Sequence, residues 1–286
     1  MEKEIKIALF SPASSPSVRK YQKGIKILKK NGISFESFVE VSESLPSLKA
    51  RLLYKLITSR EYKFIWSARG GFGSIKLIPY LEKIFVQNEK RDIFSTLIGF
   101  SDITALHLYF YKKFKKPGIH APMIVNLSDL SESAFEYLLE VIFKNKEIVL
   151  EGKTYQEGEA EGILLGGNLT TLASLCGTPY LPFEKSLILV IEDINEKEYR
   201  LERAFLQTVF TIGIENIKGI VVGNLGKVDP LKFLKRVEEF LPKKIPIGYA
   251  FPLGHVRDNF PFIIGQKTYL VVEDKKTRLF QKNFLL

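Results

Sequence analysis

Leu97-Ile98-Gly99-Phe100-Ser101-Asp102-Ile103-Thr104 is the stretch from which the fold can be read. Ahead of Ser101, residues 93–100 are largely apolar and predict a buried strand. Behind it, residues 103–113 carry apolar side chains at helical spacing. The serine therefore falls at a strand-to-helix turn, with Gly99 allowing the chain to bend tightly before it. Such a turn lifts a hydroxyl out of the sheet and sets the next backbone N–H at a helix N-terminus. There the N–H and the helix dipole can stabilise an oxyanion. This is the logic of the nucleophile elbow, with Ile103 in place of the second glycine of G-x-S-x-G. The same residues also fit a plain helix cap by Ser101 or Asp102, and the stretch alone leaves both readings open.

Working outward, strand and helix alternate. Residues 5–10 predict the first strand, with Ser15-Pro16 as cap and first residue of a helix over 18–30 that stops at Asn31-Gly32. Strands follow at 35–39, 64–68 and near Ile119, with helices from Pro46 to about Ser59 and over 131–144. This βαβ rhythm predicts an α/β fold whose N-terminal unit, residues 1–146, is a mostly parallel sheet flanked by helices. Residues 147–162 are rich in Glu, Lys and Gly and are expected to be a crossing. Beyond them, residues 163–286 are expected to form a second, smaller α/β domain. Its strands are predicted at 162–165, 187–191, 220–222, 245–250 and 268–273, its helices at 168–175, 198–211 and 230–240.

The formal charge of +10 and pI near 9.4 raise the possibility of a nucleic-acid-binding α/β protein. The lysines are scattered, however, in groups such as Lys112, Lys113, Lys115 and Lys116, with acids between them. No nucleic-acid motif is present, which favours a solvated basic surface. Apolar runs are short and broken by charge, so no transmembrane helix is expected, and the N-terminus lacks the apolar core of a signal peptide. The single cysteine, Cys176, excludes an internal disulfide, fits a cytoplasmic protein, and is expected to be a buried, inert thiol.

Ligands gather at the C-terminal ends of parallel strands. Past the predicted strands lie Arg69-Gly70-Gly71, Ser101, Gly166-Gly167-Asn168, Glu192-Asp193 and Phe251-Pro252-Leu253-Gly254-His255. Together they supply a nucleophile, a base, a carboxylate to orient it, and glycine turns with N–H groups, the inventory of an acyl-transfer site. The turn at 70–73 is neither a P-loop nor G-x-G-x-x-G. Of three histidines, His107 is expected to pack inside its helix, His120 to lie near the site, and His255 to sit in a loop where packing does not explain it. No metal-ligand spacing is visible.

These residues resemble a known family. Arg69-Gly70-Gly71-Phe72-Gly73, Gly99-Phe100-Ser101-Asp102, Gly166-Gly167-Asn168-Leu169, the run 188–193, Arg203 and Gly254-His255 recur in this order in the LD-carboxypeptidases, a family that includes the microcin-immunity peptidases. The resemblance implies a two-domain cytoplasmic serine peptidase and homodimer, without cofactor or metal. It implies cleavage of murein tetrapeptides ending in D-Ala, with no nucleic-acid or membrane partner. It further implies Ser101 as nucleophile, His255 as base and Glu192 as its orienting carboxylate. The N–H groups of Asp102 and of Gly70 or Gly71 would form the oxyanion hole, and Asn168 is expected to hold the substrate backbone. Phe72 and Phe100 stand where tyrosine is common, and Val256 where a small residue often follows the histidine. A microcin-type amidase acting on acyl-adenylates is the nearest rival. It needs an aromatic platform for adenine, and the only tryptophan, Trp66, falls within a predicted strand.

Overall fold

The computed structural model describes residues 5–40, 44–88, 92–274 and 276–285. Five short parallel strands build the first sheet: β1 (Ile7–Phe10), β2 (Phe35–Ser37), β3 (Phe64–Ser67), β4 (Thr96–Gly99) and β5 (Gly118–His120). They lie in the order β2-β1-β3-β4-β5, the doubly wound arrangement whose strand ends form a crevice. Successive residues of each strand serve opposite layers. Ile7, Leu9, Phe64, Trp66 and Ile98 pack under α1 (Val18–Lys30) and α5 (Glu132–Phe143), with Leu28, Leu138 and Ile142. Ala8, Phe10, Ile65 and Leu97 face α2 (Pro46–Ile57), α3 (Ile78–Gln87) and α4 (Thr104–Phe114). Burial on both faces is why these strands read as unbroken apolar runs.

Helix α1 starts two residues later than Ser15-Pro16 predicts, because the Ser15 carbonyl accepts a hydrogen bond from Arg69 Nη1 at 2.7 Å and stays in the loop. Ser131, expected as the first residue of a helix, is instead the N-cap of α5, accepting from the Ala134 N–H at 3.3 Å.

The second unit is a closed seven-stranded barrel, more regular than the sequence suggested. Its strands are β6 (Ile148–Gln156), β7 (Gly158–Asn168), β8 (Leu187–Glu192), β9 (Ile217–Val222), β10 (Ile247–Tyr249), β12 (Lys267–Glu273) and β13 (Lys276–Gln281), with order β10-β6-β13-β12-β7-β8-β9. Helices α6 (Leu169–Ala173), α7 (Glu198–Ile212) and α8 (Pro230–Arg236) complete this unit. The expected crossing at 147–162 is corrected: it forms β6 and the first half of β7. A barrel wall buries one face only, so Ile148 and Leu150 point inward while Glu151, Glu159 and Glu161 stay in water. That alternation accounts for the weak core character of the stretch.

One strand departs from its unit. β11 (Phe262–Ile264) leaves the barrel and pairs antiparallel with β5, Phe262 opposite His120. At the other contact, the end of β7 abuts the start of α4: the Asn168 N–H donates to Thr104 Oγ1 at 3.1 Å. A side chain at Gly167 would strike that same oxygen at 2.6 Å and approach His120 Cδ2 to 3.4 Å. The strand ends of barrel and sheet are thereby brought face to face.

Candidate active site

Ser101 lies directly past β4 with φ of 60°, in the left-handed region that non-glycine residues seldom occupy. Gly99 serves differently from the expected bend: a Cβ there would come within 2.9 Å of Ser67 Oγ and 3.0 Å of Ile103 Cγ1. The glycine makes room for the turn, and the serine carries the strain. Neither Ser101 nor Asp102 caps α4, which has no side-chain cap. The buried Asp102 carboxylate instead accepts from the Ser74 N–H at 2.8 Å and from Ser74 Oγ at 2.5 Å. It moors the far end of the glycine turn to the elbow. Burial pushes its carboxyl above the usual range, against the pull of the Ser74 bonds.

The glycine turn passes over the serine. A Cβ built on the buried Gly70 would lie 3.3 Å from Ser101 Cβ, whereas one on the exposed Gly71 would strike Ser14 Oγ at 2.6 Å. Of the two glycines expected to supply an N–H, Gly70 is the one against Ser101. Ser14 fixes the turn from its other side: its N–H donates to the Gly70 carbonyl at 3.2 Å, and its hydroxyl accepts from the Phe72 N–H at 3.1 Å.

From the barrel, β7 and β8 end in register, with Asn168 opposite Glu192. The two adjacent carboxylates have separate fates. Asp193 accepts from Thr170 N at 2.9 Å, Ile194 N at 2.7 Å and Asn168 Nδ2 at 3.1 Å, all structural bonds. Glu192 is fully buried, and neither of its carboxylate oxygens has a hydrogen-bond partner. Its Oε1 lies 3.7 Å from His120 Nε2, and a Cβ on Gly254 would meet Oε2 at 2.7 Å. Burial pushes its pKa up to about 7, opposed by His255 and the Asn168 amide.

His255 belongs to the loop after β10. Its ring sits 4.6 Å, centroid to centroid, from Phe100, the residue before the elbow serine, and its Nε2 is buried without a partner. The loop is stiffened by Asn259, whose Oδ1 accepts from the Gly254 N–H at 3.1 Å, and by Phe260 N donating to the Pro252 carbonyl at 3.0 Å. Burial lowers the His255 pKa and Glu192 raises it, while His120 adds to the lowering.

The structure thus gathers Gly70, Ser101, Asp102, Glu192 and His255 at one junction. Asn168 is a correction: its side chain is not turned to a substrate. Oδ1 accepts from Thr171 N at 3.0 Å to cap α6, and Nδ2 bonds Asp193, in a buried setting. His107 packs as expected, its Nε2 against the Gly99 carbonyl at 2.9 Å and its pKa pushed down to about 3 by burial. Cys176, expected to be buried, is only partly so, because α6 ends at Ala173 and leaves it in a turn. Trp66 is fully buried, its Nε1 donating to the Pro122 carbonyl at 2.8 Å. Sequence reasoning passed over Thr104, Asn259 and Phe262, and gave His120 a supporting place near the site without naming what it supports. An asparagine in a proline- and glycine-rich loop was the one available signal. Among the described residues no helix is long and apolar enough to cross a membrane, and no cluster of His, Cys, Asp and Glu is arranged to hold a metal.

Comparison with known proteins meets this geometry from the other side. Residues 7–121 match the LD-carboxypeptidase N-terminal domain and residues 161–270 the LD-carboxypeptidase C-terminal domain. The murein tetrapeptide carboxypeptidase of Pseudomonas aeruginosa is 26% identical over 93% of this chain and 92% of its own length. The microcin C7 self-immunity protein MccF of Escherichia coli is 24% identical over 93% of this chain and 89% of its own. The crystal structure of muramoyltetrapeptide carboxypeptidase from Oxalobacter formigenes shares the fold, with a TM-score of 0.83 at 24% identity over 98% of this chain and 99% of that one. With both halves matched in order around the serine elbow and the barrel strand ends, the chain belongs to the LD-carboxypeptidase family.

Proposed function

We propose that this protein is a serine carboxypeptidase that releases the C-terminal D-alanine of murein tetrapeptides by cleaving an L,D-peptide bond. Ser101 Oγ attacks the carbonyl carbon while His255 takes its proton. His255 then returns that proton to the departing amine, leaving an acyl-serine. Water, deprotonated by His255, attacks the ester and regenerates Ser101. Glu192 orients the imidazole and stabilises the imidazolium formed in each step. The N–H groups of Asp102 and Gly70 stabilise the oxyanion. The observation that carries this reading is the pairing of a left-handed serine under Gly70 with a fully buried Glu192 whose carboxylate no structural bond engages. The substrate class follows the resemblance and the relatives' names. The microcin-type reading is disfavoured because Trp66 is sealed in the sheet and offers no adenine platform. The family resemblance also supports a homodimer, for which light scattering should return twice the 32.7 kDa chain mass.

Mass spectrometry of a tri-, tetra- and pentapeptide mixture tests the assignment. The tetrapeptide ending in D-Ala should lose that residue and its L-Ala epimer should survive. Equal rates on the two epimers would reject the L,D assignment. A serine-directed phosphonate should label Ser101, and full labelling of Ser101→Ala would remove it as nucleophile.

A further inference from the structure

The mechanism above uses Glu192 but leaves unexplained how a carboxylate in a dry hole keeps one orientation. Burying an ionised carboxylate without donors is expensive, and buried polar groups normally find partners. The groups facing Glu192 come from several elements. β5 brings His120, the loop after β10 brings Gly254 and His255, β7 brings Asn168, and Asp193 follows on β8 itself. Asn168 Nδ2 and Asp193 are already bonded to each other. The two oxygens of Glu192 diverge: Oε1 is 3.7 Å from His120 Nε2, and Oε2 faces Gly254, the residue before the triad histidine. His120 is fully buried, its ring stacked on Phe262 at 4.2 Å with 17° between planes and flanked by Phe100 at 5.6 Å. Neither of its ring nitrogens has a hydrogen-bond partner.

We propose that His120 is the positioning residue for Glu192: its Nε2–H donates to Oε1, so that Oε2 is held toward His255. This rests on the Ser-His-Glu reading. The separation of 3.7 Å is longer than a hydrogen bond, and such contacts commonly tighten when substrate fills the site. Supporting partners of this kind are worth roughly 10- to 100-fold in activity where they orient a working group. Phe262 supplies the flat surface that sets the ring plane, so a strand of the second half of the chain fixes a side chain of the first.

The test uses His120→Leu and His120→Gln in the full chain, with tetrapeptide turnover followed against pH. Gln can place an N–H donor where Nε2 stands; Leu cannot. His120→Leu should lower kcat by about 10- to 100-fold with KM little changed. It should also move the acid limb of kcat/KM to higher pH, since the carboxylate loses its donor. His120→Gln should restore most of the rate and return the limb. Nitrogen-15 NMR of the wild-type histidines should find His120 protonated at Nε2, with resonances that move in Glu192→Gln. Wild-type kcat and acid limb in His120→Leu, a folded His120→Gln no better than Leu, or a His120 protonated at Nδ1 alone would each overturn the proposal. Should His120→Leu not fold, the Gln profile and the wild-type spectrum decide. Turnover that survives Ser101→Ala would sink the triad reading, while the NMR result still reports on the His120–Glu192 contact.

Discussion

Replacing Glu192 with glutamine should abolish most activity and at the same time stabilise the protein, by an amount that depends on pH. The carboxyl is fully buried and its pKa rises from 4.5 to about 7 on folding. For a carboxyl with a raised folded pKa, the folded state binds the proton more tightly. Wild-type stability is therefore unaffected by this group below the unfolded pKa, falls as pH rises from about 4.5, and is lowest above about 7. A rise of this size corresponds to roughly 3 kcal/mol at high pH. Between pH 5 and pH 8 most of that difference develops, about 2–3 kcal/mol from this group alone. Glutamine does not titrate, so any fixed cost of burying its amide cancels in that comparison. Urea denaturation of wild type and Glu192→Gln at pH 5 and pH 8 measures it. The variant should gain about 2–3 kcal/mol relative to wild type over that interval, while kcat/KM drops by roughly 10³–10⁴, as when a triad aspartate becomes asparagine. A stability difference that is flat with pH, or a variant that loses ground as pH rises, would refute the claim that Glu192 is an ionisable carboxylate buried in a dry site at a cost to stability.

Three further outcomes follow from the same geometry. Ser101→Ala, His255→Ala and their double variant should lose similar large factors in steady-state kinetics, because removing one member of a unit disables the others; multiplicative losses would separate them. Gly254→Ala adds a Cβ 2.7 Å from Glu192 Oε2 at a φ of +96°, so it should reduce kcat at least about tenfold while circular dichroism stays native; unchanged kcat would show that the carboxylate tolerates displacement. Asp102→Ala leaves the Ser74 N–H without its acceptor and frees the glycine turn, so melting should report a loss of about 1–3 kcal/mol and phosphonate labelling of Ser101 should slow.

Much of this was legible in the order of residue types. Parallel strands buried on two faces announce themselves as apolar runs, and the elbow serine, the glycine turn and the histidine loop each fall where such a run ends. Residue pattern alone does not tell Glu192 from Asp193, and only the family resemblance chose between them, because what separates them physically is which one the α6 N-terminus and Asn168 engage. The same contact reassigns Asn168 from substrate to scaffold. The strands at 148–156 and 276–281 were missed for one reason: a barrel wall with one wet face alternates charged and apolar residues, which by composition reads as loop. His120 and Phe262 meet only through a pairing between residues more than a hundred positions apart, and no local periodicity encodes that.

β11 bears on how this protein can be divided. The chain leaves the first sheet, builds most of the barrel, returns for three residues beside β5, and then goes back for the last two barrel strands. Its end returns once more to the first unit, where Asn283 Nδ2 donates to the Val141 carbonyl at 2.8 Å and the Lys146 carbonyl at 3.1 Å. The barrel is therefore not a portable module. A fragment ending near residue 146 would expose the β5 edge as a template for self-association and would strip Phe262 from His120. A barrel transplanted from a relative would have to bring its own lending strand into register with a host sheet it had not evolved beside. Shuffling and fission, which readily rearrange domains joined by a single linker, meet here a chain laced back and forth across the seam, so the two halves are expected to be inherited and to fold as one piece.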